Sequence, residues 1–174
     1  MGESSRSEGS AAHSVELIAP GDGQALARFF ARNRAAPGSE LFDPFELTAT
    51  RAGQIASGRS LDRFYAAHAD GEIVALSMLR GFAEGFEVPS LGLLVDREHR
   101  RRGFGRRMTE AAIAAARELG CPAIRLSVYA SNEAAMALYR SLGFAEHERT
   151  GVARRDGERD TKLIMVLALG DDGA

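Results

Sequence analysis

An apolar run, Leu91-Gly92-Leu93-Leu94-Val95, passes through the polar turn Asp96-Arg97-Glu98-His99 into Arg100-Arg101-Arg102-Gly103-Phe104-Gly105-Arg106-Arg107 and then a long alanine-rich segment. This stretch constrains the fold most, because it orders a strand, a turn and a helix. The first N–H groups of a helix have no intrahelical partner, and they carry a partial positive charge. Glycine removes the side chains that would cover them, so those N–H groups can close around a phosphate. The segment therefore reads as a pyrophosphate cradle. It is not a P-loop, since no Gly-Lys-Ser/Thr follows the glycines. It is a poor dinucleotide fingerprint, because no third glycine follows Gly103 and Gly105 and several strands precede the unit. A charge run alone is usually a solvated face; the position between strand and helix gives this one its meaning.

The rest of the chain alternates strand and helix signals. Val15 to Ala19 reads as a strand closed by Pro20-Gly21-Asp22-Gly23, with Asp22 able to cap the helix that carries Leu26, Phe29 and Phe30. Pro37-Gly38-Ser39 breaks that helix, and Asp43-Pro44 is the expected start of a second one carrying Phe45, Leu47 and Ile55 up to Gly58. Arg63–Ala69 and Ile73–Leu79 form a hairpin across Asp70-Gly71. Gly81 to Glu87 is a turn bearing Phe82 and Phe86, and Val88 to Val95 is the next strand, where Gly92 marks a bulge or a close backbone approach. A helix from Gly103 to Gly120, a strand from Ala123 to Val128 and a helix from Asn132 to Leu142 follow, the last stopped by Gly143 with Phe144 beyond. Two strands, about 144–154 and 160–169, meet at Asp156-Gly157. The order β-α-α-β-β-β-α-β-α-β-β predicts an α/β (α+β mixed) layer fold. Its sheet must be mixed, because hairpins and β-α-β crossovers alternate.

Length and composition narrow the classes. The 174 residues fit a single domain, expected over 13–170, between a tail at 1–12 rich in Ser, Gly and Glu and a frayed end at 171–174. A net charge of -2 gives no global reason to bind nucleic acid or an anionic membrane. The charge is unevenly placed, since Asp96 to Arg107 holds six arginines against two carboxylates. One cysteine, Cys121, excludes an internal disulfide, and it reads as a buried structural thiol beside Pro122. His13, His68, His99 and His147 show no metal-ligand spacing, so no metal is expected. No apolar run approaches the roughly 20 residues that cross a bilayer, and the N-terminus lacks a signal core. A cytoplasmic location is the expectation.

A second constellation comprises Asn132, Ala135, Leu138, Tyr139, Gly143 and Phe144. Ala135, Leu138 and Leu142 suit a core face. Asn132 and Tyr139 do not, and at seven residues apart they lie near one face of a helix. An amide at the helix start can bind a polar linker. A phenol with an ordinary pKa near 10 stays protonated at neutral pH, as a general acid must.

With both constellations in order, the chain resembles the GNAT superfamily of acetyl-CoA-dependent N-acetyltransferases. Arg100-Arg101-Arg102-Gly103-Phe104-Gly105 fits the family's Gln/Arg-x-x-Gly-x-Gly/Ala signature, and Asn132 through Phe144 fits its Asn-x-x-Ala-x-x-Leu-Tyr-x-x-x-Gly-Phe pattern. The strong likeness spans about 88–145. It implies a single-domain fold with about seven strands, about four helices and two splayed parallel strands forming a cofactor cleft.

The resemblance also implies roles. Acetyl-CoA is the co-substrate. Its pyrophosphate would lie on the backbone of Arg101 through Arg106, and its pantetheine arm along Leu93, Leu94 and Val95. Asn132 would touch that arm or the substrate side, Ala135 would border the arm, and Tyr139 would protonate the departing thiolate. The amine attacks the thioester directly, and a strand N–H near Val95 would stabilise charge on the carbonyl oxygen. Glu84 and Glu87 are the candidates for the base, which stays unassigned. Arg80, Phe82 and Phe86 would line the acceptor site, where Arg80 would favour an acidic or phosphorylated acceptor. The acceptor is a primary amine, a small molecule ahead of a protein N-terminus, and a homodimer is one assembly the family adopts. Two other readings are a non-catalytic CoA-binding sensor or interaction module and a nucleic-acid binder. Tyr139 counts against the first, and the shortness of the arginine cluster in an acidic chain counts against the second.

Overall fold

The computed structural model describes residues 14–42, 44–154 and 156–170. The expected tail over 1–12, the end over 171–174, His13 and Asp43 lie outside the described residues. In chain order the elements are β1 (Val15–Leu17), α1 (Gly23–Arg34), α2 (Ala49–Ala56), β2 (Arg63–Ala69), β3 (Glu72–Arg80), β4 (Ser90–Val95), α3 (Phe104–Glu118), β5 (Ala123–Tyr129), α4 (Glu133–Ser141), β6 (Ala145–Ala153) and β7 (Arg159–Ala168). The strands form one seven-stranded mixed sheet in the order β1-β2-β3-β4-β5-β7-β6. The expected order and mixed sheet are both present.

Local chemistry explains the connections. The β2–β3 hairpin turns at Asp70 and Gly71, whose φ values of 50° and 78° need residues that tolerate the left-handed region. Every neighbouring pair is antiparallel except β4 and β5, which are parallel and need the α3 crossover between them. That parallel pair is brief. Only Ser90 with Arg125 and Leu91 with Leu126 stay in register. Beyond Leu91 the two strands part, and this opening positions the site.

Helices cover the sheet unevenly. Leu26, Phe29 and Phe30 of α1 and Ala52 and Ile55 of α2 pack with Leu76, Met78 and Leu94. On the other face Phe104 and Met108 of α3 meet Val74 and Ala75. Ala112 and Ala116 of α3 and Tyr139 of α4 join Ile124, Leu126, Leu163 and Met165. Ile73 to Leu79 in β3 is a continuous buried run, as expected for a strand covered on both faces. Phe29 is fully buried, so Phe29→Ala should cost about 3–5 kcal/mol, read as a lower urea midpoint. Among the described residues no helix is long and apolar enough to cross a membrane.

Two local expectations need correction. The second helix does not start at Asp43-Pro44. Thr48 is its N-cap, its hydroxyl accepting the Arg51 N–H at 3.1 Å. Phe45 and Leu47 are buried ahead of the helix, and the Phe45 ring lies 5.4 Å from Phe42 and 5.9 Å from Phe30. Hydrophobic docking, not helical periodicity, governs that segment. Asp22 stands at the N-cap of α1, but its carboxylate turns back to accept the Ala19 N–H at 2.7 Å. A 3-10 turn over Pro20–Asp22 supplies that nearer donor.

Candidate active site

The turn between β4 and α3 is shaped by two left-handed residues, Arg101 at φ 62° and Gly103 at φ 83°. Gly103 is the N-cap of α3, and no side chain caps that end. Asn132 and Thr48, by contrast, cap α4 and α2. The open N–H groups of α3 therefore face outward with a helix dipole behind them and no acidic residue in the first turn. Gly105 is small for a different reason: a Cβ there would sit 3.3 Å from Leu138 Cδ2 and 3.7 Å from Leu93 Cδ2. The start of α3 thus packs closely against α4 and β4.

A cleft of about 890 Å³ opens where β4 leaves β5. Leu93, Leu94, Val95, Arg100, Arg101, Gly103, Gly105 and Arg106 line it, together with Asn132 at the N-cap of α4 and Ala135 and Tyr139 within that helix. Arg102 is exposed and does not line it. The Phe104 ring is buried beneath the helix start, 5.8 Å from His99, so only its backbone belongs to the turn. Two arginines brace the cradle. Arg106 donates to Ser141 Oγ at 2.7 Å, and Arg100 donates to the carbonyls of Val95 and Pro37, both at 3.3 Å. Asp96 is a buried turn residue, and Arg32 holds it by a 3.2 Å contact from Nε.

Tyr139 owes its place to the end of α4. The Phe144 N–H donates to the Tyr139 carbonyl at 3.0 Å and the Gly143 N–H to Arg140 at 3.0 Å, a Schellman closure. The two rings meet edge to face at 5.7 Å. Burial pushes the Tyr139 phenol above its ordinary value of 10.0, so it holds its proton. Asn132 spends its amide oxygen on the Ala135 N–H at 3.2 Å, leaving its NH₂ as the donor group on this wall of the cleft.

The α1/α2 face supplies a further part of the lining. Met78 pairs with Gly92 and Arg80 with Ser90, and all four line the cleft. A Cβ on Gly92 would come within 2.9 Å of Met78 Cγ and Sδ, so what crowds that glycine is a side chain, neither the bulge nor the close backbone approach expected of it. Gly92→Ala should displace the Met78 side chain and lower stability by about 1–3 kcal/mol, read as a lower urea midpoint.

Four residues of the Gly81–Glu87 turn stand elsewhere. Glu84 and Glu87 are exposed outside the cleft lining, Phe82 packs against the core, and Phe86 is 53% exposed beneath Arg125. The Asp62 carboxylate explains this: it accepts both the Gly81 and Phe82 N–H groups, at 2.9 and 3.2 Å, and folds the turn toward β2. Arg80, just before the turn, keeps its place in the cleft. Sequence reasoning missed Gly38, Leu41, Phe42 and Pro44 on one wall and Ser127, Tyr129 and Lys162 on another. Only the Pro37-Gly38 break hinted at the first group. No spacing links Lys162 to the site, since it arrives through pairing with Tyr129.

A family model described as acetyltransferase (GNAT) family matches residues 28–144. The chain is 38% identical over 85 residues to a [ribosomal protein bS18]-alanine N-acetyltransferase of Escherichia coli, an alignment covering 48% of this chain and 57% of that protein. It is 32% identical over 106 residues to an N-alpha-acetyltransferase of Sulfurisphaera tokodaii, covering 55% and 64%. The chain thus spans little more than half the length of the first of these curated relatives. Its fold superposes with a TM-score of 0.76 on a Salmonella typhimurium structure solved with its cofactor acetyl-CoA, at 17% identity, covering 92% of this chain and 96% of that one. With the family model matching well over half its length, the chain belongs to the acetyltransferase (GNAT) family.

Proposed function

We propose that this protein transfers an acetyl group from acetyl-CoA to the α-amine of a polypeptide. The observation that carries the reading is one cleft bordered by the uncapped, glycine-led start of α3 and by a buried, protonated Tyr139. Acetyl-CoA supplies the activated acetyl thioester. The backbone N–H groups of Arg101 through Arg106 hold its diphosphate, and Arg100, Arg101 and Arg106 add positive charge around it. The polar edge of Leu93, Leu94 and Val95 and the Asn132 NH₂ orient the arm where β5 has turned away from β4. Tyr139 gives its proton to the departing sulfur as the C–S bond breaks, the N–C bond forms and the amine sheds a proton.

The acceptor is drawn from the α-amines for a physical reason. Among the described residues the cleft lining contains no carboxylate and no imidazole. An α-amine has an ordinary pKa of about 7.7–8.0, against about 10.4 for a lysine, so a good fraction is already neutral at pH 8 without a base. The names of the Escherichia coli and Sulfurisphaera tokodaii relatives support the same choice over a small-molecule acceptor.

Two measurements test this. Titration calorimetry with acetyl-CoA should show binding, and thiol release should require a peptide with a free N-terminus and stop when that terminus is blocked. The acceptor kcat/KM should rise through about pH 8 and stay level to about pH 10, since the amine deprotonates first while the raised Tyr139 pKa keeps the acid protonated. A fall beginning near pH 8 would remove Tyr139 from the acid role.

A further inference from the structure

We infer that the acceptor carries a carboxylate close to its reacting amine, and that Arg80 is the residue that selects it. This inference rests on the transferase reading above and specifies the acceptor's chemistry. Arg80 ends β3 opposite Ser90, the residue at which β4 is still paired with β5. One pair later the strands separate, so Arg80 sits beside the vertex of the opening, on the α1/α2 face with Met78 and Gly92. It is half-buried and already oriented. Its Nη1 donates to the Pro44 carbonyl at 3.0 Å, and its guanidinium lies 5.7 Å from the Phe45 ring centroid. A guanidinium held by one N–H and one ring keeps further donors in its fork, with little entropy left to lose on binding a carboxylate.

The surroundings carry the same sign. Arg51 lies over the same Phe45 ring at 5.2 Å. Lys162, whose ammonium stands 5.6 Å from the Tyr129 ring, also lines the cleft. Among the described residues that line the cleft none is a carboxylate, and the Asp62 carboxylate accepts the Gly81 and Phe82 N–H groups. A basic acceptor would meet the like charge of Arg80 and Lys162 in the cleft; an acidic one meets a prepared fork.

The test is a set of short synthetic peptides, identical except for Glu, Gln or Lys immediately after an N-terminal alanine, run beside free glutamate with acetyl-CoA. The wild type should prefer the Glu peptide over the Gln peptide by about tenfold in kcat/KM, the scale of one charge-assisted hydrogen bond, and should use the Lys peptide worst. Arg80→Gln should erase the Glu preference while the Michaelis constant for acetyl-CoA holds, and Arg80→Lys should restore part of it. Acetylation of free glutamate with the same Arg80 dependence supports carboxylate recognition but moves its source from a peptide to a small molecule. Equal use of all three peptides, or a preference for Lys, overturns the inference and leaves the transferase reading standing. An Arg80→Gln variant slower on every peptide by one factor assigns Arg80 to holding Pro44 and overturns its selective role. No acetylation of any amine by protein that binds acetyl-CoA overturns the transferase reading, and this inference with it.

Discussion

Tyr139→Phe should lower kcat by about 10²- to 10⁴-fold, the usual contribution of a positioned proton donor, while acetyl-CoA binds as before. The substitution removes one oxygen and keeps the ring, so the edge-to-face contact with Phe144 and the Schellman closure of α4 survive. Folding is therefore not the quantity disturbed. The phenol is buried and its pKa is raised, so it reaches the reaction protonated at any ordinary pH. Steady-state kinetics on the peptide acceptor and calorimetry on acetyl-CoA separate the two effects. An unchanged turnover number would mean that solvent protonates the thiolate, and Tyr139 would revert to a packing residue.

The second large effect is expected at Gly103. Its φ of 83° lies where β-branched residues are genuine outliers, and Gly103→Val should strain the turn by about 1–3 kcal/mol. Open space surrounds the position, since a Cβ there meets nothing within 4 Å. The cost is thus conformational and is paid by the cradle itself. Acetyl-CoA should bind roughly ten- to a hundredfold more weakly in calorimetry if that strain is relieved by losing the bound shape of the turn. Arg102→Ala is the control. Arg102 is exposed and outside the cleft, so its loss should change affinity by no more than about twofold at physiological salt. Full affinity in the valine variant would mean that the diphosphate is held elsewhere.

Gly103 was legible because a glycine between an apolar run and a helix is a local event, decided within a few residues of chain. The helix that sets Asn132 and Tyr139 in the cleft was legible because their spacing is a helix property. The Asp70-Gly71 hairpin and the Gly143-Phe144 stop were legible for the same reason. The Gly81–Glu87 turn was not. Its aromatics and glutamates looked like site residues, yet the Asp62 carboxylate, about 20 residues earlier, draws the turn away. The start of α2 was misplaced because Phe45 docks onto Phe30 and Phe42, a choice made by the core and not by the segment.

The bare amino-acid order thus determined the succession of elements, the bounds of most of them, the glycine-led helix start and the Asn132–Tyr139 face, all of which are short-range consequences of backbone freedom and periodicity. Tertiary structure alone decided where β4 parts from β5, which residues share the resulting cleft, and that Arg80 beside its vertex and Lys162 of β7 are among them. The physical reason is range. Side chains from β3, β7 and the segment after α1 meet only once strands pair and the core closes, and no local spacing encodes that meeting.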